Sequence, residues 1–197
     1  MLRIYIARHG QDEDNAAGIL NGWRNKPLTE TGRGQAEALA AKIERMGLTF
    51  DVVYSSRLLR AYATGLAITA KLQLRPPIVL PDLIERDFGV LTGKPVADIT
   101  RLCAPDIITT ERVVYFLSPA GAETFPILLE RGARALSAIR AAHTAGSILL
   151  TTHGDIGKMI YASYYGLRWE DILTRFYFDN SELLLLAEDS PPEILYA

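Results

Sequence analysis

Two histidines stand directly after apolar, β-type runs that lie far apart in the chain. The first run ends in Arg8-His9-Gly10, and the second ends in His153-Gly154. A strand that leads into a glycine turn directs its last side chains to the sheet edge at which open α/β folds bind ligands. The pattern therefore predicts a site with two imidazoles at one sheet edge. Arg8 beside them supplies a permanent positive charge that suits an anionic ligand.

The elements that must position these histidines follow an alternating pattern of strands and helices. Strand signals rich in Ile, Val, Leu and Tyr cover residues 3–7, 51–55, 77–80 and 147–152. Helical periodicity begins after a cap at Thr29 or Thr31 and recurs over 57–72, 122–142 and 155–165. This alternation predicts an α/β fold with a mostly parallel sheet and helices on both faces.

Two segments fit the alternation less well. Residues 175–179 and 182–187 are predicted as strands joined tightly at Asn180-Ser181. The stretch 95–120 is the least regular and is predicted to form a cap or loop over the site. Because the chain has 197 residues and no internal repeat, we interpret 1–197 as a single domain.

The composition excludes several classes of function. A net charge of −2 lacks the basic excess of a nucleic-acid-binding protein. The single cysteine, Cys103, cannot form an internal disulfide and fits a reducing compartment. Met1 runs straight into a strand-like segment, which leaves no room for a signal peptide. No apolar run approaches the roughly 20 residues that span a bilayer. We therefore expect a soluble cytoplasmic protein with neither nucleic-acid nor membrane partners.

Further marked residues occur in order around the two histidines. They are Asn15, Asn21-Gly22-Trp23, Pro27–Gly32, Ser55–Ala61, Thr64, Glu85–Gly89, Gly121–Thr124, Arg131 and His153-Gly154-Asp155. With Arg8-His9-Gly10, this set resembles the histidine phosphatase superfamily, phosphoglycerate mutase-like branch, over about residues 3–187. Arg-His-Gly alone is a weak signal because a tripeptide recurs by chance, and the further blocks in the expected order make the match specific.

The resemblance implies a single three-layer α/β sandwich and phosphoryl transfer through a phosphohistidine, without a metal or a cofactor. By position, His9 would be the nucleophile and Glu85 the proton donor. Arg8, Arg60 and His153 would hold the phosphoryl group.

The resemblance also implies a substrate side. Asn15, Asn21 and Gly22 would line it, and the amide of Gly154 would add a donor if a helix opens there. The expected partner is a small phosphorylated metabolite. A homodimer is one option for the oligomeric state.

These residue types suit phosphoryl transfer on chemical grounds. A neutral imidazole nitrogen can attack phosphorus and form a covalent intermediate that water later opens. Guanidinium groups offer planar, permanently charged clamps for the phosphoryl oxygens. A carboxyl with a raised pKa can give the leaving alkoxide its proton.

Several single residues also have simpler interpretations. Outside this pattern, His9 would fit a structural histidine equally well. Arg57 lies on the same predicted helix as Arg60, and the spacing to the residues that follow favours Arg60. His143 is interpreted as a helix-end or surface residue, and Asp155 as a cap for the helix after His153.

Two departures from the family pattern bear on the reaction. Asp12-Glu13-Asp14 is unusually acidic, and we interpret it as a solvated loop; facing the pocket, it would repel bisphosphates. The 95–120 segment offers Arg101 and Arg112 in place of the paired arginines of the mutases. Both points favour a metal-independent phosphomonoester hydrolase.

Three alternatives remain open at this stage. The first is a cofactor-dependent phosphoglycerate mutase, in which the phosphoenzyme returns its phosphate to a second hydroxyl. The second is a catalytically silent phospholigand-binding protein on the same fold. The third is a metal-dependent hydrolase with both histidines as ligands, although the closely spaced ligand motifs typical of such sites are missing.

Overall fold

The computed structural model describes residues 1–187 and 193–195. Its strands are β1 (Leu2–Arg8), β2 (Val52–Ser55), β3 (Ile78–Val79), β4 (Ile107–Thr109), β5 (Val114–Phe116), β6 (Gly146–Thr152), β7 (Leu183–Leu186) and β8 (Glu193–Leu195). The main sheet has the order β3-β2-β6-β1-β7-β8, and β4 and β5 form a separate antiparallel pair. Strands β1, β2, β3 and β6 are parallel, and β7 is antiparallel to β1.

The helices are α1 (Glu13–Ala17), α2 (Glu30–Arg45), α3 (Leu59–Lys71), α4 (Ile99–Cys103), α5 (Phe125–Ala142), α6 (Gly154–Tyr165) and α7 (Trp169–Arg175). Short 3-10 turns cover Pro81–Leu83, Gly89–Leu91 and Val96–Asp98. Helix α2 begins after Thr29, whose hydroxyl accepts a 3.0 Å hydrogen bond from the amide of Gly32. Of the two predicted caps, Thr29 is therefore the correct one.

Both faces of the main sheet are covered, as the sequence predicts. Side chains alternate along β1, so that Ile4 and Ile6 pack into a core with α5, α6 and α7. Tyr5 and Ala7 point to the other face and pack with α2 and α3. The α/β architecture with a mostly parallel sheet is confirmed.

The predicted strand over 175–179 is wrong. Arg175 is the last residue of α7, and residues 176–179 join no sheet. Phe178 is nevertheless 1% exposed and lies in the core with Ile6, so its apolar signal reflects burial rather than strand pairing. The next predicted strand, 182–187, is present as β7 and pairs with β1.

The predicted cap over 95–120 contains α4 and the β4–β5 hairpin. Phe116 of the hairpin and Ile99 of α4 pack together in a small core of their own with Leu20 and Phe88. Tyr115 of the same hairpin belongs to the main core, so the segment is anchored beside the sheet edge without belonging to the sheet.

Candidate active site

The two strand-end histidines lie together because β1 and β6 are paired neighbours. Arg8 at the end of β1 is in register with Thr152 at the end of β6. The next residues, His9 and His153, therefore leave the sheet at the same edge. Their ring centroids are 5.0 Å apart, and both side chains are buried.

The imidazole of His9 is held in one tautomer. Its Nδ1 lies 2.7 Å from the carbonyl oxygen of Gly10, which can only accept, so Nδ1 carries the hydrogen. Nε2 then keeps its lone pair and lies 3.2 Å from Nε of Arg60, which donates to it. Burial, followed by the charges of Arg60 and Arg8, lowers the pKa of His9 well below its ordinary value. The ring is therefore neutral at neutral pH.

The turn after His9 requires glycine because two backbones approach closely there. A Cβ on Gly10 would lie 2.3 Å from the carbonyl oxygen of Gly32, at the start of α2. The amide of Gly10 donates to the hydroxyl of Thr64 on α3 at 3.1 Å. The turn is thus fixed by two helices that lie on the same face of the sheet.

His153 has the opposite tautomer. Its Nδ1 accepts from Nε of Arg60 at 3.2 Å, so its Nε2 carries the hydrogen and donates to the hydroxyl of Ser56 at 2.8 Å. Burial, then the charge of Arg60, lowers the pKa of His153 well below its ordinary value. One guanidinium therefore faces the lone pairs of both rings.

Arg60 lies in the first turn of α3 and is fully buried, whereas Arg57, predicted on the same helix, precedes α3 and is exposed. The terminal nitrogens of Arg60 donate to the carbonyls of Gly22 and Arg24, each at 2.8 Å. Its Nε edge faces the histidines. Each of its three nitrogens thus has an acceptor within the protein, and the phosphoryl clamp implied for Arg60 stays a prediction.

The interpretation of Asp12-Glu13-Asp14 as a solvated loop is wrong. Asp12 caps α1, is fully buried, and places a carboxylate oxygen 3.1 Å from Nε of Arg60. Asp14 is 4% exposed and pairs with Arg24 at 2.7 Å. Only Glu13 is exposed. The two buried carboxylates neutralise arginines and do not line the cavity described below, so they do not repel a substrate there.

Arg8 carries an unpaired donor at the sheet edge. One terminal nitrogen donates to the carbonyl of Phe178, and the buried Nε has no hydrogen-bond partner among the described residues. A Cβ placed on Gly154 would lie 3.8 Å from this Nε and 3.9 Å from Oε2 of Glu85. The free donor, the start of α6 and the Glu85 carboxyl thus converge on one point. An orphaned buried cationic donor is well suited to bind an oxyanion.

Glu85 is buried at the N-terminus of α6. Its carboxyl oxygens accept from the amides of Arg86 at 2.8 Å, Ile156 at 3.3 Å and Asp155 at 3.4 Å. Burial, and next the nearby charge of Asp155, raises the pKa of Glu85. A carboxyl in this environment retains its proton to a higher pH than an exposed one, as a general acid requires.

Asp155 is not a helix cap, contrary to the simpler interpretation. Its carboxylate forms a 2.8 Å ion pair with the buried guanidinium of Arg86. The Cζ atom of that guanidinium lies 4.0 Å from the ring centroid of Phe116. His153 occupies the cap position of α6. His143 ends α5, as predicted, and its Nε2 lies 2.9 Å from the hydroxyl of Tyr54.

A cavity of about 540 Å³ opens at this edge of the sheet. Asn15, Asn21 and Gly154 line it, together with Arg8 and Glu85. It is also lined by residues of the predicted cap, including Val96, Ile99, Val113, Tyr115 and Phe116. The predicted placement of the 95–120 segment over the site is therefore confirmed.

Four of the candidate residues do not line this cavity. His9, Arg60 and His153 lie behind its wall, with 2%, 0% and 0% of their surfaces exposed. Gly22 contributes its carbonyl to Arg60 instead of a surface to the cavity. Asn21 does line the cavity, but its amide nitrogen donates to Asp12 at 2.7 Å.

Several residues of the site had no role assigned to them from the sequence. The side-chain amide of Asn180 donates to the carbonyl of His9 at 2.9 Å and to the side-chain oxygen of Asn15 at 3.4 Å. Ser56 binds His153 from the end of β2, a strand-end position like those of the histidines, which is the signal that points to it. Lys158 and Tyr115 line the cavity, but no feature of the sequence points to them.

Metal-binding groups and membrane-spanning helices were sought in the described part of the chain. Within it, no group of three or more His, Cys, Asp or Glu side chains is arranged to hold a metal ion. Over the same residues, every helix is too short or too polar to cross a membrane.

The fold and this site together define an α/β protein with paired imidazoles and an oxyanion donor at the C-terminal edge of a mostly parallel sheet. A model of the histidine phosphatase superfamily (branch 1) matches residues 4–190. The chain belongs to this enzyme superfamily.

Relatives agree with this assignment. The 2,3-bisphosphoglycerate-dependent phosphoglycerate mutase of Bartonella henselae is 30% identical over 180 residues, which cover 87% of this chain and 85% of the relative. The same enzyme of Brucella melitensis biotype 1 is 32% identical over 178 residues, covering 86% of this chain and 84% of the relative.

Two structural neighbours share the fold at lower identity. A mycobacterial glucosyl-3-phosphoglycerate phosphatase superposes with a TM-score of 0.78 at 22% identity, covering 93% of this chain and 88% of that one. A phosphoserine phosphatase from Entamoeba histolytica superposes with a TM-score of 0.76 at 20% identity, covering 98% and 95%. At this identity, the likeness extends to the fold alone.

Proposed function

We propose that this chain is a single-domain, metal-independent phosphomonoester hydrolase that acts on a small phosphorylated metabolite through a phosphohistidine at His9. The proposal rests on the tautomer of His9. With Nδ1 bonded to the Gly10 carbonyl, the lone pair stays on Nε2, where Arg60 donates to it, on a ring whose pKa is lowered. A neutral, oriented imidazole is the form that attacks phosphorus.

In the first step, Nε2 of His9 forms a bond to phosphorus while the bond from phosphorus to the ester oxygen breaks. Glu85 gives its proton to the departing oxygen. Arg8 offers its unpaired Nε to a phosphoryl oxygen, and the Nε of Arg60 lies 3.2 Å from the attacking Nε2 of His9. Permanently charged guanidinium groups stabilise the charge on the transferring group without a metal.

In the second step, a water oxygen attacks phosphorus and the bond to Nε2 breaks. Glu85, now ionised, accepts the proton from that water. Inorganic phosphate leaves, and His9 and Glu85 return to their starting forms. Each group therefore works in both halves of the cycle.

Hydrolysis is favoured over isomerisation by the arginines of the cap. Arg101 is exposed and pairs with Asp98 at 3.0 Å, so Arg112 is the one of the two that lines the cavity. A mutase must keep its phosphoenzyme away from water until the substrate binds again. The cap thus adds one arginine rather than a pair to the charge of the cavity of about 540 Å³, which supports access of water to the phosphohistidine.

The acidic segment no longer contributes to this preference, because Asp12 and Asp14 are paired with arginines away from the cavity. Phosphoglycerate mutase is the second candidate, supported by the activity in the names of the relatives. The catalytically silent alternative is disfavoured by the free donor on Arg8 and the protonatable Glu85 at one point of the cavity.

The test is a panel of phosphorylated metabolites, assayed with a chelator present and scored separately for inorganic phosphate and isomerised ester. We expect phosphate release from at least one compound at an unchanged rate with chelator. With 3-phosphoglycerate and a trace of the 2,3-bisphosphate, isomerisation should be slower than the best hydrolysis. Isomerisation about a hundredfold faster than that hydrolysis, some 2.7 kcal/mol in barrier, would establish the mutase.

A further inference from the structure

A buried lysine on the cavity wall plays no part in the steps above. Lys158 lies on α6, is 2% exposed, and lines the cavity. Its ammonium donates to the hydroxyl of Tyr115 at 2.8 Å, to the carbonyl of Leu173 at 3.2 Å and to the carbonyl of Phe176. All three of its hydrogens are therefore used by acceptors of the protein.

The contact with Lys158 determines how the Tyr115 hydroxyl is oriented. An ammonium can only donate, so the phenolic oxygen must accept from it. The hydroxyl hydrogen of Tyr115 then points elsewhere, and no acceptor for it occurs among the described residues. Burial raises the pKa of Tyr115, which keeps this hydrogen in place.

Tyr115 stands at the junction of two cavities. The first is the cavity of about 540 Å³ at the candidate site, and the second, of about 660 Å³, lies between the tip of the β4–β5 hairpin and α7. The two share Tyr115, Arg112 and Tyr177. A leaving group that extends from the candidate site toward the second cavity would therefore lie beside the phenol.

We propose that the Tyr115 hydroxyl donates a hydrogen bond to an acceptor oxygen of the substrate's leaving group, and that Lys158 is the positioning residue that orients it. This inference rests on the proposed hydrolase function and deepens it. The substrate class is a phosphomonoester whose leaving group carries an ether, hydroxyl or carboxylate oxygen beyond the ester oxygen. An all-carbon leaving group would leave the buried donor unpaired, which is costly.

The orientation of the Tyr115 hydroxyl should depend on the charge of Lys158. Its ammonium faces Asp155 on its own helix, Arg8 of β1, Glu182 before β7 and Tyr115 of β5. Burial lowers the pKa of Lys158 to about 8. Above that pH the neutral amine offers a lone pair to the Tyr115 hydrogen, which withdraws the donor from the cavity.

The test uses a series of alkoxyalkyl phosphates with the ether oxygen at increasing distance from phosphorus. Each is paired with the n-alkyl phosphate that has the same number of non-hydrogen atoms. An ether oxygen only accepts, so the pair isolates the proposed bond. For at least one pair at pH 7, we expect wild-type KM to be about five- to tenfold lower for the ether, with similar kcat, as one hydrogen bond allows.

Tyr115→Phe should bring that KM ratio close to one. Tyr161→Phe is the matched control, because Tyr161 is a buried tyrosine of α6 that lines neither described cavity, and it should keep the wild-type ratio. In the wild type the ether preference should disappear between about pH 7 and pH 9.5. In Lys158→Met the ratio should be small and independent of pH.

The pH dependence of the ether preference is measured on the wild type and requires no variant to fold. It therefore tests the inference even if Tyr115→Phe is unstable. A hydrolase with no ether preference at pH 7, or with one that Tyr115→Phe retains, would overturn this inference alone. An ether preference that is unchanged at pH 9.5 would contradict the positioning role of Lys158. A wild-type protein that releases phosphate from none of the series or the metabolite panel would overturn the proposed function as well.

Discussion

The carboxylate of Asp12 lies 3.1 Å from the guanidinium Nε of Arg60, and neither side chain is exposed to solvent. The same Nε lies 3.2 Å from a ring nitrogen of each site histidine. The buried charge of Arg60 is therefore balanced by an acid that contributes nothing to the cavity wall. Asp12 supports the site by making the burial of this arginine tolerable.

Replacement of Asp12 by Asn should be costly because it leaves Arg60 buried without a counter-charge. The free energy of unfolding in urea should fall by about 3 kcal/mol, the usual cost of breaking a buried ion pair from one side. Glu13→Gln, at the exposed neighbour, should change it by less than about 0.5 kcal/mol. Equal values for the two variants would show that the buried pair has no special role.

His9→Ala should lose phosphatase activity by at least about a thousandfold, or 4 kcal/mol in barrier, because no other group can form the intermediate. Brief mixing of the wild type with substrate should leave an acid-labile, base-stable phosphate on His9. The control is His143→Ala, since His143 lies at the end of α5 and bonds to Tyr54 away from the site. Near-normal turnover by His9→Ala, or label on another residue, would end the assignment.

Glu85→Gln should slow substrates with poor leaving groups far more than nitrophenyl phosphate, since a nitrophenolate departs without a proton. We expect a loss of about a hundredfold or more for alkyl esters, within the usual range for general acid catalysis, and a much smaller loss for the aryl ester. Glu37→Gln, on the exposed face of α2, is the matched control. Equal losses on both substrates would argue against a proton-donor role.

Asp155→Asn should move the pH dependence of alkyl ester hydrolysis. The charge of Asp155 helps to raise the pKa of Glu85, so its removal lowers that pKa. Glu85 must be protonated to act as the acid, and activity is lost as pH rises through its pKa. The alkaline limb of kcat/KM should therefore shift to lower pH. A shift in the opposite direction would mean that the limb belongs to another group.

The positions of the two histidines followed from the sequence because both stand at the ends of apolar runs that become central strands. A cap at Thr29 or Thr31 was predictable because capping is a local interaction, and the structure selects Thr29. The burial of Asp12 could not be predicted in this way, since its partner Arg60 is remote in the chain. Lys158 and Phe178 were equally hidden, because their environment depends on how α7 and the hairpin pack.

The site is built on two regions that should differ in mobility. One is the central pair of strands, β1 and β6, and the other is the β4–β5 hairpin. Amide hydrogens in these central strands should exchange with deuterium chiefly through global unfolding, because they lie between other strands and under two layers of helices. Those of the two-stranded β4–β5 hairpin should exchange through local opening. The spacing of His9 and His153 would then persist while the wall that contacts the leaving group changes shape. If the proposed function holds, substitutions in the hairpin should alter which ester is accepted and leave His9 in place.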